Sequence, residues 1–258
     1  MAFPNISNKT EFSSVFNPSQ ALAYRKRQEG KPNFSIPKGC ILCYNWKLLD
    51  HILKNSQAKP VDGFISKSYL LEDTDNQILV VSKFGIGAPV VVALLEELIA
   101  YGIKYFISIG NAGAISKKLN DGDVVVCEKA IRDEGTSYHY LPKSKFAFAT
   151  KEITTLIKKK LTENKIPFYS GASWTNDSFY RQTINEVIQY QKEGILTVEM
   201  EASALFAVAK FRGVQMGSIL TISDSIANLK WNPQFHSKKV HTAYDVLFKT
   251  AKDTLLMI

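Results

Sequence analysis

Two carboxylates stand one residue apart in Val198-Glu199-Met200-Glu201-Ala202, where an apolar run of strand length passes straight into a helical period. An ionised carboxylate accepts two hydrogen bonds and stabilises positive charge developing beside it, which makes Glu201 a candidate catalytic group with Glu199 and Met200 next to it. The bland alternative is a carboxylate favoured by a helix N-terminus. A third acid, Asp224, closes the apolar run Gly217-Ser218-Ile219-Leu220-Thr221-Ile222 within Ser223-Asp224-Ser225, either as a functional group at a strand end or as a cap.

Two glycine-containing segments also follow apolar runs. In Lys83-Phe84-Gly85-Ile86-Gly87-Ala88-Pro89, the glycines Gly85 and Gly87 let backbone N–H groups approach an anion, and the helix that follows adds a favourable dipole; the alternative is a plain tight turn. The half-match to a dinucleotide fingerprint fails, because Val90 holds the third glycine position. In Ile109-Gly110-Asn111-Ala112-Gly113, two glycines three apart suggest a concave backbone surface including Asn111. The segment Arg132 to Pro142 concentrates charges and aromatics too closely for a linker.

The elements that must position these groups read as an alternation. Strands are expected near 40–45, 62–66, 78–83, 105–109, 123–131, 166–172, 195–199 and 214–222. Helical faces fall between several of them: Val91, Leu94, Leu95, Leu98 and Ile99 before Gly102; Ile153, Ile157 and Leu161; Ala202, Leu205, Phe206 and Ala209 before Gly213; and Val240, Tyr244, Leu247 and Phe248 in a last helix from about Lys238 to Leu256. This pattern implies an α/β fold with a mixed, mostly parallel central sheet covered by helices on both faces, and ligands beyond the carboxyl ends of strands. Residues 1–38, polar, basic and carrying four prolines, read as an N-terminal arm with one short helix around Pro18 to Glu29 and a possible packing role on a neighbouring subunit; 39–258 read as one catalytic domain.

Taken together, the segments resemble the nucleoside phosphorylase and uridine phosphorylase superfamily. Val198 to Ala202 is similar to its signature, and the likeness runs from about Ile78 to Asn228 through Gly85-Ile86-Gly87, Gly110-x-x-Gly113, Asp121-Gly122-Asp123-Val124, Arg132 to Pro142, Asp177-Ser178-Phe179-Tyr180 and Ser223-Asp224. The resemblance implies that Glu201 holds the sugar's 2′ and 3′ hydroxyls, Met200 packs on the sugar and Phe179 stacks on the base. It also implies that Asp224 hydrogen-bonds a purine at N7 and assists its departure. Ser223-Asp224 tilts toward the purine branch, whereas the Arg132 to Pro142 segment and the Phe179 loop look more like the uridine branch.

The pattern breaks where familiar members hold phosphate. Tyr44-Asn45-Trp46-Lys47-Leu48-Leu49 stands in place of Pro-Gly-Asp-Pro-x-Arg, and Ser108 stands where many members have Arg. Either water is the nucleophile, or other cations such as Arg132, Arg181, Lys47 or one from a neighbour's arm hold the phosphate. The expectation adopted is a phosphorylase that needs phosphate as co-substrate and no cofactor, with Arg132 or Arg181 among its ligands; a nucleosidase is the alternative. A nucleotide-sensing module without catalysis is the other class, and retention of both Glu201 and Asp224 favours the enzyme.

Composition narrows the partners. The net charge of +8 is spread over short groups such as Arg25-Lys26-Arg27 and Lys158-Lys159-Lys160, without a zinc-finger spacing or an RNA-binding aromatic motif, which argues against nucleic acid and fits a small anionic substrate. Three cysteines argue against a disulfide framework and for a reducing compartment. Cys40 and Cys43 form a C-x-x-C, but three residues apart on a strand they face opposite ways, so no metal or redox site is expected. No leader-like segment or membrane-length apolar run occurs, so a cytoplasmic homo-oligomer acting on a nucleoside, away from membranes, is the expectation.

Overall fold

The computed structural model describes residues 4–6 and 8–258; the remaining arm positions, 1–3 and 7, lie outside them. Apolar residues of alternate parity along the central strands feed two main cores, one on each face of a single sheet, and a smaller third cluster gathers Ile115, Ile131, Trp174 and Val198. Leu42, Leu79, Val81 and Phe106 face one core; Ile41, Val80, Ile107 and Ile109 face the other. The first core is covered by α3 (Ala88–Tyr101) and α6 (Ala202–Arg212), the second by α2 (Trp46–Lys54), α4 (Lys151–Glu163) and α7 (Lys238–Leu256). Cys40 and Cys43 of the C-x-x-C belong to different cores, as the strand reading requires.

The central run is parallel: β4 (Ile78–Ser82), β1 (Gly39–Cys43), β5 (Tyr105–Ala114) and β10 (Gln215–Ser225). Antiparallel strands extend it, β3 (Lys67–Leu71) and β2 (Ala58–Val61) on one side and the short β11 (Asn232–Pro233) on the other. β6 (Val124–Asp133), β8 (Tyr169–Asn176) and β9 (Thr197–Glu199) run from β10 back to β5, so five strands form a closed circuit; β7 (Phe146–Phe148) pairs with β6. The α/β architecture with both faces covered is the expected one, but six of the eleven pairings are antiparallel, because the hairpin edges and the closure of the circuit reverse direction.

Four helices fall where the periodicity predicts them, and the expected arm helix is α1 (Pro18–Glu29). It packs on α3 of its own chain: Arg25 forks onto both oxygens of Glu97 at 2.9 and 2.6 Å. The strand expected at 62–66 is instead the connection between β2 and β3. Gly63 there has φ 127°, which turns the chain, and a Cβ would lie 2.6 Å from Pro32. Two short helices went unread. α2 buries only Leu48, Leu49 and Ile52, and α5 (Ile184–Lys192), capped by a Thr183–Glu186 box, buries only Val187, too few apolar positions to show a period.

Candidate active site

Gly113 lies near the end of β5, between Val198 of β9 and Asp224 of β10, and is paired with both. A Cβ at Gly113 would meet Val198 at 3.1 Å and the carboxylate oxygens of Asp224 at 3.4 and 3.6 Å, so the glycine lets the strand bearing Glu199 and the strand bearing Asp224 approach one another. A register shift between Ile222 and Asp224 aims the aspartate at this point, the usual effect of a bulge beside a site. Its Oδ1 accepts from Ser223 Oγ at 3.1 Å and its Oδ2 from Trp231 Nε1 at 3.0 Å. Burial raises the Asp224 pKa above the ordinary aspartate value, against the two donors, which lower it.

The two glutamates have different surroundings. Glu199 Oε1 accepts from Ser173 Oγ at 3.2 Å and Thr175 Oγ1 at 2.6 Å, and Oε2 accepts from the N–H groups of Glu201 at 2.7 Å and Ala202 at 2.6 Å. Those four donors fill its lone-pair sites and cap the start of α6, so Glu199 holds the loop rather than offering itself to a ligand. Glu201 Oε1 accepts the Gly87 N–H at 2.6 Å and Oε2 the Met200 N–H at 3.3 Å, leaving acceptor capacity free. Burial, then the neighbouring Glu199 carboxylate, push Glu201 up to about 8. Met200 is half-buried between the two acids.

The glycine segments differ from their sequence reading. Gly85, exposed, and Gly87, buried, do form a turn with φ 102° and 98° before α3. Gly110 and Asn111, by contrast, are part of β5 and pair with Leu220 and Thr221 of β10, so no concave turn exists there. Gly110 is needed because the Tyr44 ring lies on it: a Cβ would sit 3.0 Å from Tyr44 Cδ2. Tyr44 meets Phe84 edge to face at 5.4 Å, and its hydroxyl receives the Ser108 Oγ–H at 3.4 Å. Asn111 Nδ2 reaches the Tyr244 hydroxyl at 3.3 Å, while its Oδ1 is buried without a partner among the described residues.

Arg132 takes no position as a phosphate fork. It is 3% exposed, and its guanidinium donates to Ser137 Oγ, the Pro142 and Leu141 carbonyls and Ser144 Oγ at 2.6–3.1 Å. It clamps its own 137–144 loop, because a fixed fork suits several acceptors of one tight loop. Arg181 is exposed, on the short turn Phe179–Arg181, and its side chain has no hydrogen-bond or ion-pair partner among the described residues. Phe179 is 45% exposed and packs on Tyr180 at 4.1 Å between centroids. Lys47 is engaged with His236 Nδ1 at 2.6 Å.

Sequence reasoning missed Tyr44 as a wall of the site and Trp231 as a partner of Asp224. The signal for Trp231 was an aromatic beside Asn232-Pro233, a hairpin cue after the strand that bears Asp224. Among the described residues no cluster of three or more His, Cys, Asp or Glu side chains has the arrangement of a metal site, and no helix is long and apolar enough to cross a membrane.

Comparison with known proteins identifies the family and the fold. The family model described as "Phosphorylase superfamily" matches residues 48–251. A uridine phosphorylase of Haemophilus influenzae is 31% identical over 159 residues, 56% of this chain and 63% of that protein. A purine nucleoside phosphorylase DeoD-type of Bacillus cereus is 32% identical over 176 residues, 67% of this chain and 73% of that protein. The alignments to that uridine phosphorylase and to a guanosine phosphorylase of Halorubrum lacusprofundi span 63% of each relative, somewhat under two thirds. Among solved structures, a uridine phosphorylase of Vibrio fischeri superposes with TM-score 0.75 at 27% identity, covering 87% of this chain and 94% of that one. A Toxoplasma gondii purine nucleoside phosphorylase in complex with immucillin-H shares the fold at TM-score 0.75 and 23% identity, over 86% and 91% of the two chains. A family model spanning most of the chain, with relatives and solved structures of the same description, makes this protein a member of the phosphorylase superfamily.

Proposed function

We propose that the protein cleaves the N-glycosidic bond of a purine nucleoside, with Glu201 stabilising the pentosyl group as it becomes cationic and Asp224 donating a proton or hydrogen bond to the departing base. The observation that carries this reading is the placement of the buried Glu201, just beyond the strand paired with Gly113 on one side, and the half-buried Asp224, paired with Gly113 on the other, each with its proton affinity raised. A protonated Asp224 suits N7 of a purine, an acceptor that pyrimidines lack, and Glu201 keeps free lone pairs for sugar hydroxyls. Met200 would cover the sugar and Phe179, exposed beside the site, would stack on the base.

Phosphorylases of this family pass the pentosyl group to phosphate, and no cofactor enters that reaction. What this chain offers a phosphate is the Gly85–Gly87 turn and the unpaired Arg181. The reading includes a cytoplasmic homo-oligomer, supported by the exposed Phe12, Val15, Phe16 and Tyr180, whose apolar surface a second copy would cover.

The test is to incubate the purified protein with inosine, adenosine, guanosine and uridine in phosphate buffer and to follow free base by chromatography. Release of hypoxanthine, adenine or guanine ahead of uracil is expected. Release of uracil alone would contradict the purine assignment, and release of no base would remove the catalytic reading.

A further inference from the structure

Resting on the reading that Asp224 serves N7 of a purine, we propose that the protein favours purine nucleosides carrying a neutral polar substituent at C6, larger than an oxo or amino group, and holds that substituent in a cavity beside Asp224. The cavity, about 240 Å³, lies between the 117–121 loop and the segment that follows β10, and its walls include Asn120, Asp121, Asn228, Asn232 and Gln234 together with Asp224. Asp224 therefore belongs both to this cavity and to the contact with Gly113. On a purine, N7 and the C6 group are neighbours on one edge of the ring. A base that accepts from Asp224 through N7 sets its C6 group against the same carboxyl, where β11 continues the wall by pairing Pro233 with Asp224 and Asn232 with Ser225.

Size argues for part of a substrate, and for more of it than one atom. Sites that enclose a whole ligand start at roughly 300 Å³, so this cavity is too small for a second molecule of that kind. A water molecule takes about 30 Å³ of the liquid, so the cavity has room for several groups of that size, where an oxo or amino group fills one. Its rim reaches solvent at the exposed Asn120, Asn228 and Asn232, which gives a longer substituent a way out.

The walls set the chemistry of the substituent. Four carboxamides, those of Asn120, Asn228, Asn232 and Gln234, offer donors and acceptors at once. Gln234 Nε2 donates to Asn232 Oδ1 at 3.3 Å, while the side chains of Asn120 and Asn228 have no hydrogen-bond partner among the described residues. The charges on the walls have opposite sign: Lys117 is exposed, and Asp121 stands 3.9 Å from Lys239. A carboxylate or an ammonium therefore meets a charge of its own sign. An alkyl chain strips water from the carboxamides and returns no hydrogen bond. A hydroxyl or amide matches all of these groups.

The experiment gives the whole purified chain, in phosphate buffer, three substrates: adenosine, N6-(2-hydroxyethyl)adenosine and N6-propyladenosine, the last two equal in size and differing in one hydroxyl. Base release from the hydroxyethyl nucleoside is expected with kcat/KM at least that of adenosine and about 10-fold above that of the propyl nucleoside, the worth of one hydrogen bond. Asn120→Trp fills the cavity from an exposed loop and is expected to lower kcat/KM for the hydroxyethyl nucleoside about 10-fold more than for adenosine. Cleavage of adenosine with both substituted nucleosides refused, equal kcat/KM for the hydroxyethyl and propyl nucleosides, or an Asn120→Trp protein that loses activity on all substrates in equal proportion would each overturn the proposal and leave purine cleavage intact. Release of no base from any of the three would overturn the proposal and the cleavage reading together.

Discussion

The indole N–H of Trp231 donates to Oδ2 of Asp224 at 3.0 Å, while the Trp231 side chain itself is 60% exposed at the mouth of the site. Together with Ser223 on Oδ1, it fixes the carboxylate orientation, and it favours the ionised form. Replacing Trp231 with Phe keeps a ring and removes the donor, so the proton affinity of Asp224 rises further. With the protonated acid as the proposed active form, the pH above which purine release falls should move upward, with turnover reduced about 10-fold as the carboxyl loses its anchor. A pH–rate profile of Trp231→Phe that superposes on the parent would separate Trp231 from catalysis.

Gly113 offers a test of spacing. Its φ is not in the left-handed region, so Ala is conformationally allowed, and the added methyl presses on Val198 at 3.1 Å and on Asp224 at 3.4 Å. Gly113→Ala should fold and displace the acid by a few tenths of an ångström, with base release lowered roughly 10- to 100-fold, since catalytic geometry tolerates little displacement. Steady-state kinetics beside a circular dichroism spectrum checks this, and parental turnover in the folded variant contradicts it.

Arg132 should behave as a structural residue. Arg132→Ala removes a buried guanidinium and its donors to two carbonyls and two hydroxyls of the 137–144 loop and is expected to cost about 2–4 kcal/mol in stability. Arg132→Lys should recover little, because a point charge cannot span those acceptors. Denaturant midpoints of the two variants measure this directly; a stable Arg132→Ala protein with weakened phosphate binding would return Arg132 to the role expected from the sequence.

Glu201 carries a stability cost with a definite sign. In the unfolded chain it ionises near the ordinary glutamate value of 4.5, whereas in the folded protein it holds its proton up to about 8. Folding is therefore progressively disfavoured as pH rises between those values, and Gln, which never ionises, escapes the loss. Glu201→Gln should raise Tm little at about pH 5 and more at about pH 8. An equal or falling Tm difference across that range would show that Glu201 is ionised throughout in the folded state.

Residue types and spacing went far toward the fold and only part of the way into the site. The faces of α3, α4, α6 and α7 were legible because several apolar residues repeat at helical spacing, and Glu201 and Asp224 were legible because acids at the ends of apolar runs need a reason. Long-range closeness leaves no local trace. That Gly110 is small for Tyr44, sixty-six positions earlier in the chain, and that Gly113 is small for Asp224 follow from the sheet register alone. Arg132 misled for the same reason: an arginine at a strand end reads as a free fork until the loop it holds is seen folded around it.

The central claim is that Glu201 acts on the sugar while its Gly87 contact keeps it in place, and the most direct measurement compares inosine cleavage by the parent with that by Glu201→Gln. The amide retains an acceptor for the Gly87 N–H and can never take on the negative charge that Glu201 gains when its proton leaves. Hypoxanthine release should fall on the order of 100-fold or more, as for loss of a preorganised electrostatic partner, with the fold unchanged by circular dichroism. A folded Glu201→Gln protein that releases hypoxanthine at the parental rate would contradict the account.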